Sequence, residues 1–126
     1  MSATTAFRIS AITGMLAVIL GAFGAHGLEQ LFKSLPPDQA AKQLDWWKTA
    51  VAYHLPHAVV LLLLAQASTL RVWSWRLILG GIIIFSGTLY AMGAGGPHWL
   101  GAITPIGGTL LIAGWLTMAF EKPASA

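Results

Sequence analysis

The side chains most capable of chemistry in this sequence are four histidines, His26, His54, His57 and His98. A neutral imidazole can ligate a metal or haem iron, relay a proton, or hydrogen-bond neighbouring helices together. His54 and His57 are three residues apart, so on a helix they share roughly one side. Glu29 follows His26 by three residues, Tyr53 precedes His57 by four, and Tyr90 is the other tyrosine of the chain. These six residues, His26, Glu29, Tyr53, His54, His57 and His98, form the candidate polar cluster or ligand site, with Tyr90 beside it.

Three uses of such a cluster compete. In the first, the imidazoles bond across helices and fix the fold. In the second, His26, His54 and His57 hold a metal or a haem. There is no cysteine, no HExxH-type signature and no methionine grouped with the histidines, so the expected cofactor is none. In the third, His26, Glu29, His54 and His57 relay a proton or ion. No nucleophile, base and orienting group stand together, and no glycine loop has a phosphate-binding form. The chain is therefore read as non-enzymatic, with no catalytic residue.

The elements that position these residues follow from composition. Of 126 residues, 56% are hydrophobic and 9% charged, and mean hydropathy is +0.72. Soluble domains carry about a quarter charged residues, so a water-facing surface is out of reach and an integral membrane protein is expected. Four continuous apolar stretches run over about residues 7–25, 50–67, 77–94 and 100–120. A bilayer core of about 30 Å needs roughly 20 helical residues. The predicted architecture is a single all-α domain, 1–126, a bundle of four transmembrane helices. Arg8 and the small cluster Ala22–Ala25 also fit a signal peptide, but the first stretch is read as a true span.

With four spans, His26, His54, His57 and His98 all fall toward one end of the bundle. Arg8, Arg71, Arg76 and Lys122 fall on the opposite side from Lys33, Lys42 and Lys48. The charge bias predicts that both termini lie in the cytoplasm. Trp46, Trp47 and Trp99 are expected at the outer interface, and Trp73, Trp75 and Trp115 toward the inner one. The scattered basic residues form no run, so nucleic acid is not an expected partner. The expected partners are the lipid bilayer, other membrane subunits, or a second copy of the chain.

Glycines supply close packing. Gly14, Gly21 and Gly24 on the first helix, Gly80 and Gly87 on the third, and Gly107 and Gly114 on the fourth are the predicted packing positions. Pro56 and Pro105 are the expected kink positions. Pro56 removes a helix hydrogen bond and frees the carbonyl near Ala52. Thr104 is expected to cap the fourth helix, with Pro105 in its first position and 100–103 irregular. Asp38, after Pro36-Pro37, suits the start of the second helix, and Pro123–Ala126 is expected to fray.

GAFGAHGLE at Gly21–Glu29, WWKTAVAYHLPHA at Trp46–Ala58, FSGTLY at Phe85–Tyr90, and ITPIGG with GW within Ile103–Trp115 carry a family likeness. Together they resemble the bacterial small membrane protein family named domain of unknown function 423, similar to the eukaryotic transmembrane protein 256 family. The resemblance spans essentially the whole chain. It implies a four-helix inner-membrane protein and no established activity. Its motif positions are Gly21, Gly24, His26, Gly27, Tyr53, His54, His57, Pro105 and Gly107. The expected function is a structural or accessory subunit of a membrane complex. The alternative is a transporter or sensor binding a proton, metal ion or small molecule through the histidines.

Overall fold

A computed structural model describes residues 1–67 and 69–121. Lys122 and the tail Pro123–Ala126 lie outside the described residues. The described residues form helices joined by short turns, without strands. In order come α1 (Ala3–His26), α2 (Leu28–Phe32), α3 (Pro37–Gln66), α4 (Val72–Gly81), a π turn (Ile82–Ser86), α5 (Gly87–Gly93), a 3-10 turn (His98–Ala102) and α6 (Thr104–Phe120). Four continuous segments are long and apolar enough to cross a bilayer: Ala3–His26, Pro37–Gln66, Val72–Gly93 and His98–Phe120. The chain is an all-α, four-helix membrane protein.

Local signals explain the ends. The Ser2 hydroxyl accepts from the Thr5 N–H at 3.1 Å and starts α1. Pro37 occupies the first turn of α3 with Asp38 behind it, where a carboxylate meets the positive end of the helix. Pro56 does not end α3, which runs on to Gln66. Thr104 is not the cap of α6 but its first helical residue, after Ile103. Its hydroxyl instead lies 3.1 Å from the Leu100 carbonyl and 2.7 Å from the Thr88 hydroxyl. The expected irregular lead-in is a 3-10 turn.

α1 lies antiparallel along α3, and α6 antiparallel along α4–α5, while α3 also packs on α4–α5. α1 and α6 share no extensive interface. The buried stripe of α1 is made of small residues, Ala6, Ser10, Thr13, Ala17 and Gly24. In lipid, apolar surface gains nothing by leaving its surroundings, so close backbone approach supplies the cohesion.

The glycines divide by what a Cβ would meet. At Gly24 it would fall 2.5 Å from the Trp47 indole, and at Gly114 2.6 Å from Ile78. At Gly107 it would land on the Phe85 backbone. Gly21 is tight against Val51 at 3.3 Å, whereas Gly14 and Gly80 sit at ordinary contact distance. Gly87 departs from the expectation, because a Cβ there meets nothing within 4 Å. It borders a groove rather than a helix. Two close approaches between separate helices went unpredicted: Gly81 against Leu111, and Gly93 against the Gln43 and Trp47 backbone.

The tryptophans also divide. Trp73, Trp99 and Trp115 are exposed. Trp47 and Trp75 are not belt residues but buried anchors, 5% and 2% exposed. Trp75 joins Ala6, Leu61, Leu64, Ile78 and Leu111 in the main core, and its indole N–H donates to Ser10 Oγ at 3.0 Å. At the same end of the bundle, Arg71 Nε lies 3.5 Å from Glu121 Oε2, tying the start of α4 to the end of α6.

Candidate functional site

His54 is the buried histidine. Its Nδ1 lies 2.9 Å from the Tyr90 hydroxyl on α5, and the two rings stand edge-on with centroids 5.8 Å apart. Tyr90 stands edge-on to Trp47 at 4.8 Å, and the Trp47 indole N–H donates to the Leu20 carbonyl at 2.8 Å. Three helices are thus joined around one imidazole. The third contributes because Ser86, just before α5, donates to the Ala50 carbonyl at 2.9 Å and holds α3 alongside.

His57 faces a different way. It is half-buried at the bundle surface, with Nδ1 2.6 Å from the Tyr53 carbonyl and Nε2 accepting from the Trp115 indole at 3.0 Å. A carbonyl only accepts and an indole N–H only donates. These partners assign His57 as the neutral tautomer with hydrogen on Nδ1. Tyr53 stacks on the ring, with planes 3° apart and centroids at 6.2 Å. The carbonyl capped in this way is Tyr53, one residue beyond the Ala52 carbonyl that the sequence pointed to.

The expected three-histidine core is not formed. Gly21 meets Val51 and Gly14 meets Ala58, so His54 stands level with Val18 on α1. His26 is eight residues further along α1, about 12 Å at the helical rise. It is exposed at the end of the helix, as is Glu29 in α2. His98 is also exposed and packs edge-on against Trp46 at 5.2 Å, rather than closing over His54. Among the described residues, no group of three or more His, Asp or Glu side chains is placed to hold one metal ion. The antiparallel register sets His26 apart from His54, and His57 turns to Trp115 rather than Tyr90, so the set offered for a metal or haem is not gathered.

A groove of about 430 Å3 runs between α1 and α4–α5, with His54 at its floor. Thr13, Ser86, Gly87 and Tyr90 line it, together with leucines and isoleucines. Its walls face the surrounding bilayer, since Leu16 and Ile83 are 44% and 62% exposed.

With this geometry established, comparison with known proteins places the chain. The profile of the family described as "Protein of unknown function (DUF423)" matches residues 20–108. The chain belongs to this family. Among the DUF423 relatives, UPF0382 membrane protein SSP2132 of Staphylococcus saprophyticus is 40% identical over 114 residues, covering 87% of this chain and 89% of its own. YwdK of Bacillus subtilis, also a UPF0382 membrane protein, is 41% identical over 115 residues, covering 86% and 87%. UPF0382 membrane protein C1782.12c of Schizosaccharomyces pombe is 33% identical over 121 residues, covering 90% and 98%. No solved structure matches the chain.

The site residues missed in the sequence are Thr13, Ser86 and the Ser10–Trp75 pair. Their signal was present: Ser10, Thr13 and Ala17 continue a three-and-four spacing on α1, and Ser86 sits inside FSGTLY. The π turn at Ile82–Ser86 left no comparable mark.

Proposed function

We propose that this DUF423 protein is a non-enzymatic structural or accessory subunit of a membrane protein complex. In this reading it lies in the bacterial inner membrane with both termini in the cytoplasm. The observation that carries the reading is that both membrane-embedded imidazoles are bonded within the chain. His54 bonds Tyr90, and His57 bonds Tyr53 and Trp115. Each bond set joins separate helices, which is the work of a structural histidine. The carrier alternative finds less support, because the groove over His54 opens sideways between α1 and α4–α5. The basic residues Arg8, Arg71 and Arg76 support the cytoplasmic assignment of the termini.

The test is purification of the tagged full-length chain from its native membrane in a mild detergent. A second membrane protein should co-purify at fixed stoichiometry through size exclusion. Recovery of the chain alone, or only with copies of itself, overturns the accessory reading. Fusing a reporter that is active on one side of the membrane to each terminus tests the orientation independently.

A further inference from the structure

Two arginines stand at one end of the groove between α1 and α4–α5. Arg8 is exposed on α1, two residues before Ser10, and Arg76 is exposed on α4, one residue after Trp75. The Ser10–Trp75 bond at 3.0 Å sets those two positions level, so both arginines leave their helices within one turn of the same depth. Ile9 and Leu79 are the groove residues nearest this end. Arg8 adjoins Ile9, and Arg76 precedes Leu79 by three residues, on roughly the same face. Arg8 is five residues from Ala3 and Arg76 four from Val72, close enough to the span ends for long side chains to reach the interface. Among the described residues neither arginine makes a hydrogen bond or an ion pair; Arg76 lies over the Trp73 ring at 5.7 Å. Neither Ala3–His26 nor Val72–Gly93 contains an Asp or Glu. Among the described residues Glu121 is the one acid at this end, and Arg71 holds it at 3.5 Å. The mouth of the groove is therefore positive and unopposed.

The groove beyond that mouth asks for no polar occupant. The Thr13 hydroxyl donates to the Ile9 carbonyl at 2.8 Å, and the Ser86 hydroxyl to the Ala50 carbonyl at 2.9 Å. His54 and Tyr90 bond each other at 2.9 Å. The remaining walls are leucines, isoleucines and Gly87, around a space of about 430 Å3. From Ile9 to Leu20 the groove follows α1 for about 16 Å at the helical rise. That is roughly half of a hydrocarbon core about 30 Å thick, the reach of an acyl chain within one leaflet. The head of the fitting molecule is anionic and its body is a chain. A carboxylate presents both oxygens in one plane, suited to a single guanidinium fork. A phosphate diester directs its two charged oxygens apart, one toward each helix, and so suits a pair of arginines.

We propose that the groove between α1 and α4–α5 seats one acyl chain of an anionic phospholipid, whose phosphate bridges Arg8 and Arg76. A zwitterionic phospholipid presents the same phosphate with a cation of its own, which the two arginines repel. The site therefore selects by net headgroup charge at its mouth and by chain along its length. This inference goes beyond the accessory-subunit reading and does not depend on it.

The test is native mass spectrometry of the purified full-length protein in a nonionic detergent. It is titrated with dioleoylphosphatidylglycerol, dioleoylphosphatidylcholine or oleate. One phosphatidylglycerol should bind per chain, at least about tenfold more tightly than either of the others, the order expected of two basic residues near a membrane surface. Arg8→Gln combined with Arg76→Gln should bring phosphatidylglycerol down to the level of phosphatidylcholine. Gly87→Leu fills the groove from a position whose Cβ meets nothing within 4 Å. It should weaken phosphatidylglycerol binding at least about tenfold with both arginines intact and helical content kept. If Gly87→Leu misfolds, Ile83→Trp makes the same measurement from a groove side chain that is 62% exposed. Lys48→Gln, at the opposite end of the bundle, should leave binding unchanged. Equal or tighter binding of phosphatidylcholine or oleate overturns the proposal. So does a preference that survives loss of both arginines, or a loss in Lys48→Gln as large as theirs. Undiminished binding in a folded groove variant overturns it too, since charge attraction alone would then account for the lipid.

Discussion

The Trp115 indole N–H donates to His57 Nε2 at 3.0 Å, tying α6 to α3 on the exposed surface of the bundle. The two helices otherwise communicate mainly through α4–α5, which both of them pack against. Because the bond is surrounded by lipid rather than water, its two polar atoms have little alternative partner outside the protein. Nitrogen-15 shifts of labelled histidine should show His57 with hydrogen on Nδ1. A ring protonated on Nε2 instead would exclude the Trp115 bond.

The same pair should show coupling in a double-mutant cycle. His57→Phe and Trp115→Phe each remove one partner and keep an aromatic body. Measured by unfolding in mixed micelles, the coupling should be about 0.6 kcal/mol, the average for such bonds in membranes. A value indistinguishable from zero would mean that the bond contributes nothing to holding α6.

Tyr90→Phe tests the inner imidazole. It keeps the edge contact with Trp47 at 4.8 Å but deletes the hydroxyl that His54 Nδ1 meets at 2.9 Å. A buried nitrogen left without a partner costs about 1–3 kcal/mol. The variant should lose stability by that order, and Tyr53→Phe, whose hydroxyl makes no bond among the described residues, should lose far less. Equal losses for the two variants would remove the structural role of the His54–Tyr90 bond.

Ser10→Ala addresses the bond that locks α1 to α4. Ser10 Oγ donates to the Ala6 carbonyl at 2.7 Å and accepts from the Trp75 indole at 3.0 Å. Removing the hydroxyl strands the indole N–H of a tryptophan that is 2% exposed. The expected loss, read by unfolding in mixed micelles, is again about 1–3 kcal/mol. Restoring the acceptor as Ser10→Thr should recover part of it. An unchanged midpoint in Ser10→Ala would show that the indole finds another acceptor.

How much of the molecule was legible in the sequence depends on what each signal measures. Continuous apolar runs measure membrane crossing, and each overlaps one of the four helices long and apolar enough to span a bilayer; the start of α3, well before the run at 50–67, was marked instead by Pro36-Pro37 and Asp38. Residue type alone does not report the register between two helices. His26, His54 and His57 were gathered because all lie toward the same ends of their helices. The pairing of Gly21 with Val51 then set His26 about 12 Å away along α1. Trp47 and Trp75 illustrate the same limit: an indole near a span end reads as interfacial, yet an acceptor on α1 draws each inward. Gly87 lay in heptad register with Gly80, but the π turn between them adds an extra residue per turn and rotates α5 relative to α4. That rotation turns Gly87 away from a neighbouring helix and toward the groove.

Gly107 and Gly87 therefore make opposite predictions from the same substitution. At Gly107 an added methyl would collide with the Phe85 backbone, which cannot swing aside as a flexible side chain can. Gly107→Ala must push α6 away from the π turn, disturbing Gly81 against Leu111 and the Thr88–Thr104 contact at 2.7 Å as well. Overpacking of this kind costs about 1–3 kcal/mol, outweighing the gain in helix propensity. At Gly87 the methyl meets nothing within 4 Å, so only the propensity term remains. Gly87→Ala should be neutral or stabilising by up to about 1 kcal/mol. Unfolding of both variants in mixed micelles decides the matter. A Gly87→Ala loss as large as that of Gly107→Ala would mean that Gly87 packs against a helix after all.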